Sequence, residues 1–171
     1  MGGYKLTITG LDKVLAKLDT KTMEADIQLA LDDFGLRVVR EAKTLAPKDE
    51  GFLARSINSE SSKLAVTISA NTDYAAYIEF GTRKFAAAYV STLPPEWQQF
   101  AAQFKGAQEG SFAEFIFRIM GWIKRKGIPE EAAYPIAIKI LREGIKAQPF
   151  LYPSIRNQTK LLIEDLEALL T

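Results

Sequence analysis

The 171-residue chain contains neither cysteine nor histidine. The first absence excludes disulfides, thiolate nucleophiles and cysteine-ligated zinc; the second removes the usual general base of hydrolases and the commonest neutral metal ligand. An excess of charge of one sign is missing too. With 22 Lys+Arg against 21 Asp+Glu the net charge is +1, so no global field draws the chain to nucleic acid, an anionic membrane or an acidic substrate. No run approaches the ~20 apolar residues of a membrane span, and Met1-Gly2-Gly3-Tyr4 has no apolar signal core. The expectation is a protein made and kept in the cytoplasm, with no membrane partner and no cofactor. What is present is 47% apolar residues, enough for the core of one domain or of one domain carrying a sizeable insertion.

Tyr4, Leu6 and Ile8 alternate with Lys5, Thr7 and Thr9, the period of a half-buried strand stopping at Gly10. Thr9 and Asp12 have the spacing of a weak capping box. Ile27, Leu31, Phe34, Val38, Ala42 and Leu45 then form one face of a long amphipathic helix, which ends near Ala46-Pro47 because proline disfavours helical geometry in the residue before it. After a turn at Lys48-Asp49-Glu50-Gly51 the pattern becomes β: Phe52 to Ser59 reads as a strand of mixed quality, interrupted by Arg55. Leu64, Val66, Ile68 and Ala70 alternate cleanly with Ala65, Thr67 and Ser69. The polar link Glu60-Ser61-Ser62-Lys63 makes the pair a hairpin. Asn71-Thr72-Asp73 can cap a short helix closed by Gly81.

From 83 to 146 the character is helical. Pro94-Pro95 precede Trp97 to Phe104, and breaks follow at Gly106 and Gly110. Ser111 and Glu114 form a capping box ahead of a helix that is apolar nearly all round, and another helix begins around Pro135 and closes at Gly144, with Pro129-Glu130-Glu131 a separate start or turn. Gln148 to Pro153 reads as an extended segment held by Pro149 and Pro153. A last helix puts Ile155, Leu162, Leu166 and Leu169 on one face. The fold class is α+β: a small antiparallel sheet packed on a long N-terminal helix and a C-terminal helix, residues 1–82 with 147–171, and an all-helical insertion at 83–146.

Chemistry has to come from carboxylates, lysines, serines and tyrosines. Asp33 with Glu41-Ala42-Lys43 is similar to a metal-nuclease motif, but magnesium nucleases want the Glu-x-Lys pair on a strand beside a second carboxylate, and here it falls on a helix. The plainer reading makes these residues the solvated side of that helix, with pairs such as Asp33 to Arg37. Lys124-Arg125-Lys126 with Lys139, Arg142 and Lys146 are either a phosphate-binding patch beside Trp122 or charged helix ends favoured by the dipole. Ser56 and Ser111 have no histidine base, and Gly81-Thr82 lacks the glycine and lysine of a phosphate loop. The surplus apolar surface between 112 and 123 is either core or a subunit contact, and the contact reading selects Phe112, Phe115, Ile116, Ile119, Trp122 and Ile123.

Three blocks resemble a family of phage tail-component, or tail-completion, proteins. Leu45 to Ile57 is similar to the family signature APxDTGxLRxSI through Pro47, Gly51 and Ile57. Tyr74 to Thr82 is similar to YAxYxEFGT through Tyr74, Tyr77, Glu79, Phe80, Gly81 and Thr82. Ala147 to Ser154 resembles xQPFLxPA through Pro149, Phe150, Leu151 and Pro153, and Thr7 to Asp12 is similar to the family's start. Some members carry an insertion with a pattern like Trp122 and Lys126-Gly127-Ile128. Glu50 stands where the family usually has threonine, Phe52 is bulky for its turn, and Tyr152 replaces a frequent arginine.

The resemblance implies a non-enzymatic virion protein, assembled in the host cytoplasm and located in the tail or neck. It implies a six-fold ring of copies between a head-closure or connector protein and the tail tube or tail terminator, with DNA passing through the lumen without sequence recognition. A near-neutral chain suits that passage, since a strongly basic lumen would hold DNA by counterion release. Neutral or acidic lumen residues are expected, and Lys124-Arg125-Lys126 are expected away from the channel. The competing readings are a small metal-dependent nuclease and a DNA- or partner-binding adaptor.

Overall fold

The structure, a computed structural model, describes residues 4–8, 21–104 and 111–169. The Thr9–Asp12 capping box, the strand stop at Gly10 and the breaks at Gly106 and Gly110 lie outside the described residues. The architecture is α+β, and the chain divides into two compact units, Met1–Ala75 with Gln148–Thr171, and Ala76–Ala147.

In the first unit, β1 (Tyr4–Ile8), β2 (Ile57–Ser62) and β3 (Ala65–Ala70) form an antiparallel three-stranded sheet in the order β1-β3-β2. The register pairs Leu6 with Ile68 and Ser59 with Ile68. Helix α1 (Lys21–Leu45) packs on the sheet. Its Ile27, Leu31, Phe34, Val38 and Ala42 are at most 4% exposed, and burying each of the large ones stabilises by about 1.5–3 kcal/mol. The approach is closest at Gly35, where an added Cβ would stand 2.8 Å from Val66 Cγ2 and 3.2 Å from Ser59 Cβ.

Leu45 departs from the expected face: it is 44% exposed, and Ala46 takes the buried place at 2%. At about 100° per residue, a step of four from Ala42 returns to the buried face, while a step of three falls about 60° short.

The strand expected over Phe52 to Ser59 begins instead as a helical turn, α2 (Phe52–Ser56), and β2 starts only at Ile57. Local hydrogen bonds satisfy this turn. Arg55 N donates to Gly51 O (3.0 Å), Ser56 Oγ to Leu53 O (2.8 Å) and Arg55 Nη2 to Glu50 O (3.0 Å), and of its five residues only Leu53 is buried. Phe52 is exposed, its ring beneath the Arg55 guanidinium at 4.8 Å.

The β2–β3 hairpin is present, but its turn is at Lys63-Leu64. Leu64 adopts φ 54°, unusual for a bulky residue. Its N–H donates to Gln28 Oε1 (2.7 Å) and its side chain is buried, so α1 holds the turn in place.

Helix α3 (Ala75–Phe80) follows β3, and after the second unit the chain returns to α8 (Leu151–Ala168), which packs on α1. The extended segment expected over Gln148 to Pro153 is shorter than the sequence suggests. Leu151, Tyr152 and Pro153 form the first turn of α8, where proline loses no intrahelical bond and its fixed φ suits the helix. Phe150, Leu151 and Ser154 are fully buried, and Ser154 Oγ donates to Phe150 O at 2.6 Å.

The second unit is helical: α4 (Arg83–Val90), α5 (Pro95–Ala102), α6 (Phe112–Arg125), a 3-10 turn at Glu130–Ala132 and α7 (Ala133–Glu143). Helix α4 has no sequence counterpart among the expectations, and it buries none of its residues. An aromatic cluster forms one core. Phe80 lies 6.2 Å from Trp97, 6.1 Å from Phe100 and 6.2 Å from Phe104 between ring centroids. The capping box of α6 is complete, with Glu114 N donating to Ser111 Oγ (3.3 Å) and Ser111 N to Glu114 Oε2 (2.8 Å). Helix α7 begins two residues ahead of Pro135, and its Ala133 and Ala137 are buried, as is Ile123 of α6.

Candidate functional site

The Glu79-Phe80-Gly81-Thr82 block does more than end a helix. Gly81 has φ 74°, and a Cβ there would stand 2.8 Å from both Ala147 N and Ile145 O. Opposite it, Gly144 has φ 93° and ψ −176°, and a Cβ would stand 2.3 Å from Thr82 O. Thr82 N donates to Ile145 O (2.9 Å), and Ile145 N donates to Thr82 Oγ1 (2.7 Å). The two segments thus meet backbone to backbone, and the first and last turns of the helical unit are clasped together. The sequence reading gave Gly81 a turn and Gly144 a helix stop. It missed the clasp because Thr82 and Ile145 stand 63 residues apart, and no local spacing reports such a pairing.

The other motif residues are distributed as scaffold. Ile57, Glu79, Phe80, Phe150 and Leu151 are at most 4% exposed. Pro47, Gly51, Tyr77, Thr82, Pro149 and Pro153 are half-buried, and Tyr74 is exposed. Pro47 and Gly51 bracket the corner between α1 and α2.

The carboxylates singled out for chemistry are engaged in packing α8 on α1. Asp33 Oδ2 pairs with Arg37 Nη1 (2.6 Å), as the i,i+4 spacing predicts, and Arg37 Nη2 continues to Asp165 Oδ2 (2.7 Å). Glu41 Oε1 accepts from Asn157 Nδ2 (2.7 Å) and Oε2 from Gln158 Nε2 (2.6 Å). Glu41 therefore offers both oxygens to helix packing, and Lys43 is exposed on the same helix. Among the described residues no group of three or more His, Cys, Asp or Glu side chains could hold a metal ion. Ser56 and Ser111, with their bonds to Leu53 O and the Glu114 amide, serve as local caps. An open groove beside the N-terminal half of α1 is lined by Glu24, Gln28, Asp32 and Lys63. Its groups are paired with one another: Lys63 Nζ lies 3.3 Å from Glu24 Oε2, and Gln28 Nε2 donates to Asp32 Oδ1 at 2.7 Å.

Of the proposed basic patch, Lys124, Arg125 and Lys126 are exposed at the C-terminal end of α6, the favourable end of its dipole. Arg142 Nη2 pairs with Glu143 Oε1 (3.0 Å), and Lys84 Nζ reaches the other oxygen at 3.1 Å. These hydrogen bonds, from Arg142 first and Lys84 second, hold the Glu143 carboxyl below its ordinary pKa.

The residues selected as a subunit contact divide between two environments. Ile123 is fully buried, so it is core and not part of an exposed face. Phe115, Ile116, Ile119 and Trp122 are half-buried, while Phe112 is 43% exposed and meets Tyr134 edge-on at 6.0 Å. The outward face of α6 carries Phe117, 77% exposed, and Met120, residues that the sequence reading left out. Their neighbours Ala113, Arg118 and Lys124 were the available signal, since a charged and small-residue stripe marks the solvent side even of a largely apolar helix.

No helix among the described residues is long and apolar enough to cross a membrane. No curated protein and no solved structure matches the chain significantly. Residues 9–81 match the HK97-gp10-like family, described as "Bacteriophage HK97-gp10, putative tail-component". The matched stretch takes in α1, the Pro47–Gly51 corner, the β2–β3 hairpin and α3, and ends at Gly81. Over that segment the chain is similar to the HK97-gp10-like family of bacteriophage tail components.

Proposed function

We propose that the protein is a structural, non-catalytic tail-completion subunit that forms a ring at the head–tail junction. The observation that carries this reading is the similarity of residues 9–81 to phage tail components, within which the described motif residues build a corner, a hairpin and one side of a clasp. Its neighbours are a head-closure or connector protein on one side and the tail tube or tail terminator on the other. Six copies match the symmetry of a tail, and DNA passes through the lumen unread. The net charge of +1 supports passage, because few counterions are released when DNA meets such a surface. The nuclease alternative loses its support in the engagement of both Glu41 oxygens by α8.

Deleting the gene from the phage that encodes the chain and imaging the lysate by electron microscopy tests the reading. Filled heads and unattached tails are expected to accumulate; joined, infectious particles in normal yield would refute it.

A further inference from the structure

Helix α1 has an outer stripe that the described residues leave exposed. Leu29 is 69% exposed and Leu36 is 61% exposed, and they alternate along the helix with the exposed charges Asp26, Asp33 and Arg40. The Asp33–Arg37–Asp165 trio keeps a net negative charge on this surface. Helix α6 has a second such stripe, in which Phe117 and Met120 are flanked by exposed Glu114, Arg118 and Lys124. Both are apolar seams bordered by charge, the pattern of a helix that meets another helix.

The order of the charges selects the partner and the direction. Along α1 from its C-terminal end the stripe reads Arg40, Leu36, Asp33, Leu29, Asp26; along α6 from its N-terminal end it reads Glu114, Phe117 and Arg118, Met120, Lys124. Laid antiparallel, Glu114 meets Arg40, Arg118 meets Asp33, Lys124 meets Asp26, and Phe117 and Met120 lie against Leu36 and Leu29. Laid parallel, Glu114 would meet Asp26 and Lys124 would meet Arg40, like against like. From 114 to 124 is about 15 Å along one helix axis and from 26 to 40 about 21 Å along the other, a mismatch of about 3 Å at each end. Long arginine and glutamate side chains span that difference.

We infer that the outer face of α6 docks antiparallel on the outer face of α1 of a second copy of this chain. One patch meets a different patch on the neighbour, the heterologous geometry that a closed ring requires. The inference rests on the ring reading above and names the contact that builds it.

The absence of cysteine makes a direct test available, because introduced thiols are the only ones in the chain. A Leu36→Cys variant and a Phe117→Cys variant, each full length and distinguishable in mass, are mixed and oxidised, both free in solution and incorporated into tails. The mixed disulfide dimer is expected in several-fold excess over either homodimer, since a disulfide needs Cα atoms within about 7 Å. Lys124→Glu in the Phe117→Cys chain is expected to lower the yield several-fold, and Asp26→Lys in its partner to restore it. Homodimers in equal or greater yield, no disulfide in either setting, or no restoration by the reciprocal change would each overturn the contact. The two ideas fail separately. Oligomers or tails that contain the protein without this cross-link sink the contact and leave the ring standing, whereas normal head–tail joining without the gene sinks the ring reading whatever the cross-link shows.

Discussion

Gly144 stands in a backbone region, φ 93° and ψ −176°, that is closed to nearly every other residue, with Thr82 O where its Cβ would be. Gly144→Ala therefore combines backbone strain with a clash against a carbonyl that cannot rotate away, a loss of about 3 kcal/mol or more. Thr82→Val keeps the shape and removes only the oxygen that accepts from Ile145 N, and is expected to lose about 1–2 kcal/mol. Urea unfolding followed by circular dichroism checks both and should rank them in that order. At Gly35 two effects oppose one another. Alanine gains about 1 kcal/mol of helix propensity, while its Cβ would intrude on Val66 and Ser59, an overpacking cost of about 1–3 kcal/mol. The contact wins because Val66 is fully buried and stiff at χ1, so Gly35→Ala is expected to lower the urea midpoint.

At the scale of elements, what could be read from sequence was what repeats locally. The α1 face from Ile27 to Ala42, the Ser111–Glu114 cap and the β2–β3 pairing follow from spacing that a helix or strand imposes on its own residues. The turn Phe52–Ser56 was not legible as helix, because Leu53 and Ile57 fit either period and the choice fell to bonds with Gly51 O and Leu53 O. The contents of the α1–α8 contact were not legible either: Glu41 and Arg37 looked like solvated charges, and their partners Asn157, Gln158 and Asp165 lie more than a hundred residues away.

The Glu143 pair adds an element-scale prediction. Its carboxyl is held below the ordinary value by Arg142 and Lys84, so its contribution to stability is present above the unfolded carboxylate pKa and is lost as pH falls through the lowered folded value. Melting of the protein and of Glu143→Gln, compared from neutral to acid pH, should show a difference in Tm at neutral pH that closes at the acid end. A difference that stays constant with pH would assign the effect to shape alone.

For the whole molecule, the family segment and the helical unit carry different parts of the account. The segment 9–81 carries the similarity to phage tail components, and its motifs serve the fold. The helical unit contributes the exposed Phe117 and Met120, surface that a monomer would leave wet. The most direct measurement is cryo-electron microscopy of intact particles from the phage that encodes the chain. The account predicts a closed ring of copies at the head–tail junction, with the α1 and hairpin fold fitting each repeat of the density. Copies located elsewhere in the particle, or a head–tail junction fully occupied by other chains, would contradict it.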